Sequence, residues 1–134
     1  MRKIFILLLI IPFCLISQSN NIELLDQWYI DGLPITNDGE SVFNDVWGLE
    51  IENDKYAIIG STNGTHILRI IDNRLEEIDF VGGKYAGNQA IHRDFHDYNG
   101  YLYAVCDENA SSLQIMDLSY LPDSVHLVYD SDSL

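Results

Sequence analysis

The stretches YAIIGSTNGTHILRIID (Tyr56–Asp72) and YAVCDENASSLQIMD (Tyr103–Asp117) repeat one pattern within a single chain. Each starts with Tyr-Ala and ends with Ile-Ile-Asp or Ile-Met-Asp, and the second copy follows the first at a period in the mid-forties. β-Branched and aromatic residues are frequent in both copies, which favours strands over helices. The repeat therefore predicts one all-β structural unit that occurs twice.

Short apolar runs separated by Asn, Asp and Gly continue this pattern on both sides of the two stretches. The dipeptides Asn63-Gly64 and Asn99-Gly100 are typical of tight hairpin turns, because both residue types tolerate a positive φ. Four sequential antiparallel strands are predicted in each unit: residues 45–51, 55–59, 65–71 and 75–81 in the first, and residues 92–98, 101–106, 112–118 and 125–130 in the second.

A period of this length with four sequential strands matches one blade of a β-propeller. We therefore predict an all-β propeller fragment with two four-stranded antiparallel blades, at residues 44–90 and 91–134. Residues 20–43 are predicted to form a leading strand, at residues 21–30, and a loop. A two-sheet sandwich is the competing architecture. Because propellers use about four to eight blades, two blades predict either a truncated chain, which we favour, or assembly of identical chains.

The N-terminal residues have the order of a secretory signal peptide. Two cations precede an unbroken apolar run from Ile4 to Ile16, and a short polar stretch ends at Ser19. The apolar run is shorter than the roughly 20 residues that span a bilayer. Residues 1–19 are therefore predicted to be a cleaved signal peptide, which leaves a secreted, extracellular or outer-cell-surface protein with no membrane span. A retained N-terminal anchor is the alternative.

The net charge of the chain indicates which partners it can bind, and its cysteines indicate whether it has a thiol nucleophile. A formal net charge of −14 repels phosphates, so anionic membrane surfaces are poor partners and no nucleic-acid partner is predicted. Removal of the signal peptide also removes Cys14, which leaves Cys106, in an apolar run, as the remaining cysteine. Cys106 is predicted to be a buried small hydrophobe and not a nucleophile.

The segment HRDFHD holds the densest group of candidate metal ligands. On a strand, His92, Asp94 and His96 project to one side because side chains alternate. Two imidazoles and one carboxylate are suitable ligands for zinc or iron, but a hydrogen-bonded structural network is the competing interpretation. Loops 61–64 and 107–109 are candidates for calcium, although turn chemistry explains the same residues.

Four stretches resemble the LVIVD-repeat proteins and, within them, the secreted choice-of-anchor B group. They are NDVWG (Asn44–Gly48), YAIIGSTNGTHILRIID (Tyr56–Asp72), HRDFHDYNGYLYAVCDE (His92–Glu108) and LQIMDLSYLP (Leu113–Pro122). The resemblance implies a bacterial secreted or surface β-propeller for which no catalytic residues are established. His92 departs from the pattern, because it stands where such proteins often have a tryptophan.

These observations predict a binding or scaffold module for an extracellular protein or polysaccharide. The alternatives are an extracellular hydrolase whose site is completed by further blades, and a calcium-dependent adhesion module. No catalytic residue and no cofactor is predicted, with calcium as the alternative, and the sequence contains no recognisable Ser/His/Asp triad or phosphate-binding loop. Trp47, in the first predicted strand, is predicted to pack between blades rather than to bind sugar.

Overall fold

The computed structural model describes residues 22–37, 39, 41–90, 92–108 and 113–131. The regular structure of these residues is all-β, and none of the described segments forms a helix long and apolar enough to cross a membrane. The strands are β1 (Phe43–Ile51), β2 (Asp54–Ser61), β3 (Gly64–Ile71), β4 (Arg74–Gly82), β5 (Arg93–Tyr98), β6 (Tyr101–Cys106), β7 (Leu113–Asp117) and β8 (His126–Ser131). The predicted signal peptide, residues 1–19, lies outside the described residues.

Strands β1 to β4 form one antiparallel sheet in chain order, and β5 to β8 form a second sheet in the same way. Glu52 and Asn53 join β1 to β2, and Asn99 and Gly100 join β5 to β6; all four residues have positive φ. Two-residue turns of this kind match the twist of the strands that they connect. Among the described strands, none from one half of the chain lies in the sheet of the other half.

The hydrophobic core lies between the two sheets. On β2 and β3, Ile58 and Ile67 are fully buried, and they pack with Leu102, Ala104 and Met116 from the second sheet. The rest of this buried cluster is Val81, Phe95, Leu118 and Val125, with Trp47, Leu49, Ile51, Ile78 and Leu121 partly buried at its margin. Trp47, which was predicted to pack between blades, is thus partly buried at the margin of the core between the two sheets.

The first strands of the two sheets run side by side in the same direction. The backbone N–H of Phe95 donates to Asp45 Oδ2 at 3.2 Å, and Trp47 Nε1 donates to Asp97 Oδ1 at 2.8 Å. An advance of two residues along β1 thus corresponds to an advance of two residues along β5.

The last strand of the first sheet, β4, also contacts the second sheet. Gln114 Nε2 on β7 donates to the Gly82 carbonyl at the end of β4 at 3.0 Å, and the backbone N–H of Val125, just before β8, donates to Asp79 Oδ2 on β4 at 2.8 Å. The first strands of the two sheets therefore meet, and the last strand of the first sheet contacts β7 and the segment just before β8. This is the relation expected when one structural unit is repeated and stacked on itself.

The all-β class and the two four-stranded antiparallel sheets are confirmed. The predicted leading strand is wrong for residues 22–30, which form no strand. A strand is stable only when it pairs with a neighbour, and here side chains make the contacts instead. Asp26 Oδ2 accepts a hydrogen bond from the Leu75 backbone N–H at 2.9 Å, and the Trp28 ring centroid lies 5.0 Å from that of His66.

Candidate functional site

A cluster of candidate metal ligands lies at one end of the second sheet and consists of His92, Asp107 and Glu108. One ligand atom from each residue lies within 4.8 Å of the other two. His92 Nδ1 is 2.7 Å from Glu108 Oε1 and 3.5 Å from Asp107 Oδ1. In the described part of the chain, no other set of three such side chains comes this close together.

Strand pairing explains why these residues meet. Arg93 and Cys106 are cross-strand partners at the end of the β5–β6 ladder. The next residues outward are His92 on one side and Asp107 on the other, so the ladder places their backbones next to each other. Both residues are exposed to solvent, whereas the flanking Arg93 and Cys106 are buried. The cluster therefore sits on a rigid base and is open to solvent.

The other two residues of the predicted metal set lie elsewhere. Asp94 and His96 are exposed on the outer face of β5, as the alternation of side chains predicts. The His96 ring lies 5.0 Å from the Trp47 ring at an interplanar angle of 74°. The structure thus groups His92 with two carboxylates rather than with Asp94 and His96, and a metal bound by the predicted set stays a prediction.

The cluster is electrostatically coupled. The hydrogen bond to Glu108, together with the negative charge of that side chain, raises the pKa of the His92 imidazole. Burial of Glu108 opposes its ionisation, but hydrogen bonds from the His92 backbone N–H and from Cys106 Sγ outweigh burial and hold the pKa of Glu108 below its ordinary value. A protonated imidazole next to an ionised carboxylate is favoured as a result.

The buried residues beneath the cluster have structural roles. Arg93 Nε donates to the Ser61 carbonyl and Arg93 Nη2 to the Tyr85 carbonyl, both at 3.0 Å, so its guanidinium joins the two halves of the chain. Burial lowers the pKa of Arg93 and raises the pKa of the Cys106 thiol. The prediction that Cys106 is buried is confirmed, and a raised pKa disfavours the thiolate that a nucleophile needs.

A second polar arrangement, which the sequence does not reveal, aligns Ser61, His66 and Glu77 in the first sheet. His66 Nε2 lies 2.8 Å from Ser61 Oγ, and His66 Nδ1 lies 2.8 Å from Glu77 Oε1. These distances match the order of nucleophile, base and acid in a hydrolase triad. No triad was predicted from the sequence, so this alignment is visible only in the structure.

The burial of Ser61 indicates that this arrangement stabilises a turn. Ser61 has no exposed surface, and its Oγ accepts hydrogen bonds from the backbone N–H groups of Asn63 and Gly64 at 3.2 and 3.3 Å. The rings of Trp28 and Phe80 lie 5.0 and 4.7 Å from that of His66. A substrate carbonyl has no path to a hydroxyl enclosed in this way, whereas a serine that caps a turn uses these contacts.

The two loops predicted as calcium candidates differ from each other. In loop 61–64, Ser61 and Thr62 are fully buried, and the Thr62 hydroxyl donates to the Pro34 carbonyl at 2.8 Å. In loop 107–109, Asp107 and Glu108 belong to the cluster with His92, and residue 109 lies outside the described residues. The oxygen atoms that calcium requires are thus not presented by equivalent positions of the two loops.

Both outer faces of the stacked sheets carry exposed apolar side chains. Val46, Ile70 and Phe80 are exposed on the first sheet, and Tyr98, Val105 and Tyr129 are exposed on the second. The pairing register places them opposite the core: Val46 precedes the core-facing Trp47, and Val105 lies between the buried Ala104 and Cys106. We call these surfaces the first and the second outer face.

Comparisons of the chain with protein-family models, with curated proteins and with solved structures found no match. Function therefore rests on the geometry of the chain itself.

Proposed function

We propose that the chain is an exported binding or scaffold module of the β-propeller type, secreted or held at the outer cell surface, and that its two sheets are successive blades. The signal-like N-terminus supports export, and the acidic composition makes nucleic acid a poor partner. The two sheets stack in the same order, with their first strands in the same direction. Successive blades of a propeller are related in this way.

The observation that carries this proposal is the exposed apolar surface on both outer faces. The two sheets of a sandwich alternate apolar side chains inward with polar side chains outward. Here Val105 and Tyr129 on the second outer face are 42% and 48% exposed, and Phe80 on the first outer face is 44% exposed. The second outer face is thus suited to further sheet-on-sheet packing, whereas on the first outer face Trp28 already covers His66, the cross-strand partner of Phe80.

The repeat indicates what the second outer face would bind. On the first sheet, the cross-strand pair Ile58 and Ile67 is fully buried against the second sheet. The corresponding pair on the second sheet is Val105 and Leu113, which lies on the second outer face. The second outer face therefore corresponds, in the repeat, to the face of the first sheet that packs against a four-stranded sheet. The partner that fits it best is a sheet of the same repeat from a second copy of the chain.

Sedimentation equilibrium of the purified chain tests this proposal. We expect the mean mass to rise with protein concentration, and more strongly at high salt, because salt screens the repulsion between acidic copies. Val105→Asp is expected to remain monomeric, because it places a charge at the centre of the apolar face. Ile22→Ala is the control, since Ile22 is exposed in the segment before β1 and belongs to neither sheet.

A chain that stays monomeric at every concentration and salt level would contradict the proposed scaffold role. So would association of Val105→Asp as strong as that of the unmodified chain. Export is tested separately by sequencing the N-terminus of the mature protein from a bacterial host. We expect it to begin close to residue 20, and an intact Met1 in the exported fraction would contradict a cleaved signal peptide.

A further inference from the structure

We propose that His92, Asp107 and Glu108 bind one divalent transition-metal ion, with zinc as the best match. The proposal does not depend on the propeller assignment, because it rests on the end of one hairpin. Three side chains that offer one imidazole nitrogen and two carboxylate oxygens converge there, with their ligand atoms within 4.8 Å of one another. Metal–ligand bonds of about 2.0–2.2 Å place ligand atoms of one ion roughly 3–4 Å apart, so only small side-chain rotations are needed.

The backbone fixes the positions from which these side chains reach the ion. The last pair of the β5–β6 ladder joins Arg93 to Cys106, and both residues are at least nine-tenths buried. His92 and Asp107 extend directly from this pair. Sites built on paired strands hold their ligands more exactly than sites on free loops. The ion would therefore meet a set of ligands that is already assembled.

Contacts around Glu108 leave one of its oxygens directed at the site. Glu108 Oε2 accepts hydrogen bonds from the His92 backbone N–H at 3.1 Å and from Cys106 Sγ at 3.3 Å. Glu108 Oε1 faces His92 Nδ1 at 2.7 Å. Outer-shell hydrogen bonds of this kind orient ligating carboxylates in metalloproteins. The carboxylate is thus held by one oxygen, and its other oxygen, which pairs with His92 Nδ1, binds the ion when the imidazole proton is released to solvent.

The donor set selects the class of metal. An imidazole with two carboxylates suits zinc and its first-row neighbours, whereas calcium and magnesium prefer oxygen donors and a larger number of them. Two carboxylates neutralise the charge of a divalent ion. His92 and Asp107 have side chains that are 69% and 78% exposed, so water can complete the coordination shell and the ion can exchange with solvent.

The nearby cation does not occupy the site. Arg93 directs its Nε and Nη2 at the carbonyls of Ser61 and Tyr85 and not at the carboxylates of the cluster. Its charge weakens cation binding to some extent, but Arg93 is buried and its hydrogen bonds to these two carbonyls hold it away from the ligand atoms.

Isothermal titration of zinc into the chelator-treated chain tests the proposal. We expect one saturable site, and we expect His92→Ala, Asp107→Asn and Glu108→Gln each to weaken zinc binding by about tenfold or more. His96→Ala is the matched control, since His96 is an exposed histidine of β5 outside the cluster, and zinc binding should be unchanged. Melting temperatures without metal show that each variant is folded.

Cobalt provides a second readout that does not depend on the loss of affinity. Cobalt bound through nitrogen and oxygen donors should show weak visible bands without the intense near-ultraviolet absorption of a thiolate ligand, since Cys106 is not a member of the cluster. Absence of saturable zinc binding would overturn the proposal. It would also be overturned if His96→Ala abolished zinc binding while Asp107→Asn left it intact, because the ion would then be bound by the other histidine-containing set.

Discussion

Truncation of Ile67 should destabilise the whole chain, because Ile67 lies in the core shared by both sheets. Ile67→Ala removes the equivalent of three buried methylene groups, about 2.4 kcal/mol at ~0.8 kcal/mol each, and the resulting cavity raises the expected loss to about 3–4 kcal/mol. Ile70→Ala on the same strand is the matched control. Ile70 is 38% exposed on the first outer face, so its truncation leaves no closed cavity and should cost about 1 kcal/mol.

Urea unfolding, followed by far-UV circular dichroism and by tryptophan fluorescence, measures both effects. With a slope of ~1.5–2 kcal/mol per M, the midpoint of Ile67→Ala should fall by about 2 M, and that of Ile70→Ala by about 0.5 M. The two signals should shift together, because the core contains side chains from both sheets. Equal losses for the two variants, or separate transitions for the two sheets, would refute the shared core.

Three further predictions concern single side chains. Ser61→Ala should lower the free energy of unfolding in urea by about 1–3 kcal/mol, because it leaves buried polar partners without their hydrogen bond. Ser41 is exposed, so Ser41→Ala should change stability by less than about 0.5 kcal/mol. Equal losses for the two variants would contradict a structural role for the Ser61 hydroxyl. Backbone hydrogen bonds, from Leu75 first, hold the pKa of Asp26 below its ordinary value, so this contact is complete above about pH 4 and is lost as the pH falls through the lowered pKa. The Leu75 amide proton, followed by NMR, should therefore shift only in that acidic range, and a transition near neutral pH would contradict this contact. Because burial raises the pKa of Cys106, a thiol reagent at pH 8 should react slowly with the folded chain and much faster in urea; equally fast modification in both states would show that the thiol is accessible.

The strands were predictable because local patterns determine them. Short apolar runs and turn residues located all eight strands to within a few residues, and Asn99-Gly100 forms the predicted turn. The segment 22–30 has a similar apolar composition but forms no strand. Pairing with a neighbouring strand decides that outcome, and composition alone does not specify a partner.

The sequence contains a signal for the His92 cluster, which is found by counting residue pairs outward from the turn between β5 and β6. From the turn at Asn99-Gly100, two-residue hairpin pairing runs from Tyr98 with Tyr101 to Arg93 with Cys106, and one further step brings His92 to Asp107. The prediction instead used the alternation of side chains along a single strand, which grouped His92 with Asp94 and His96.

The alignment of Ser61, His66 and Glu77 could not be predicted by counting residues from a turn. The register of β3 and β4 shifts at an irregularity between Ile67 and Leu68, and a bulge of this kind changes which side chains become neighbours. Such a shift depends on packing between the strands and leaves no clear pattern in the sequence.

Methyl–methyl nuclear Overhauser effects across the core test most directly whether the two repeats form separate, stacked sheets. We predict contacts between the methyl groups of Ile58 or Ile67 and those of Leu102 or Met116, together with backbone cross-strand contacts only within residues 43–82 and within residues 93–131. Cross-strand amide contacts between these two ranges, without the methyl contacts, would show that the halves share one sheet and would contradict the repeated-unit architecture.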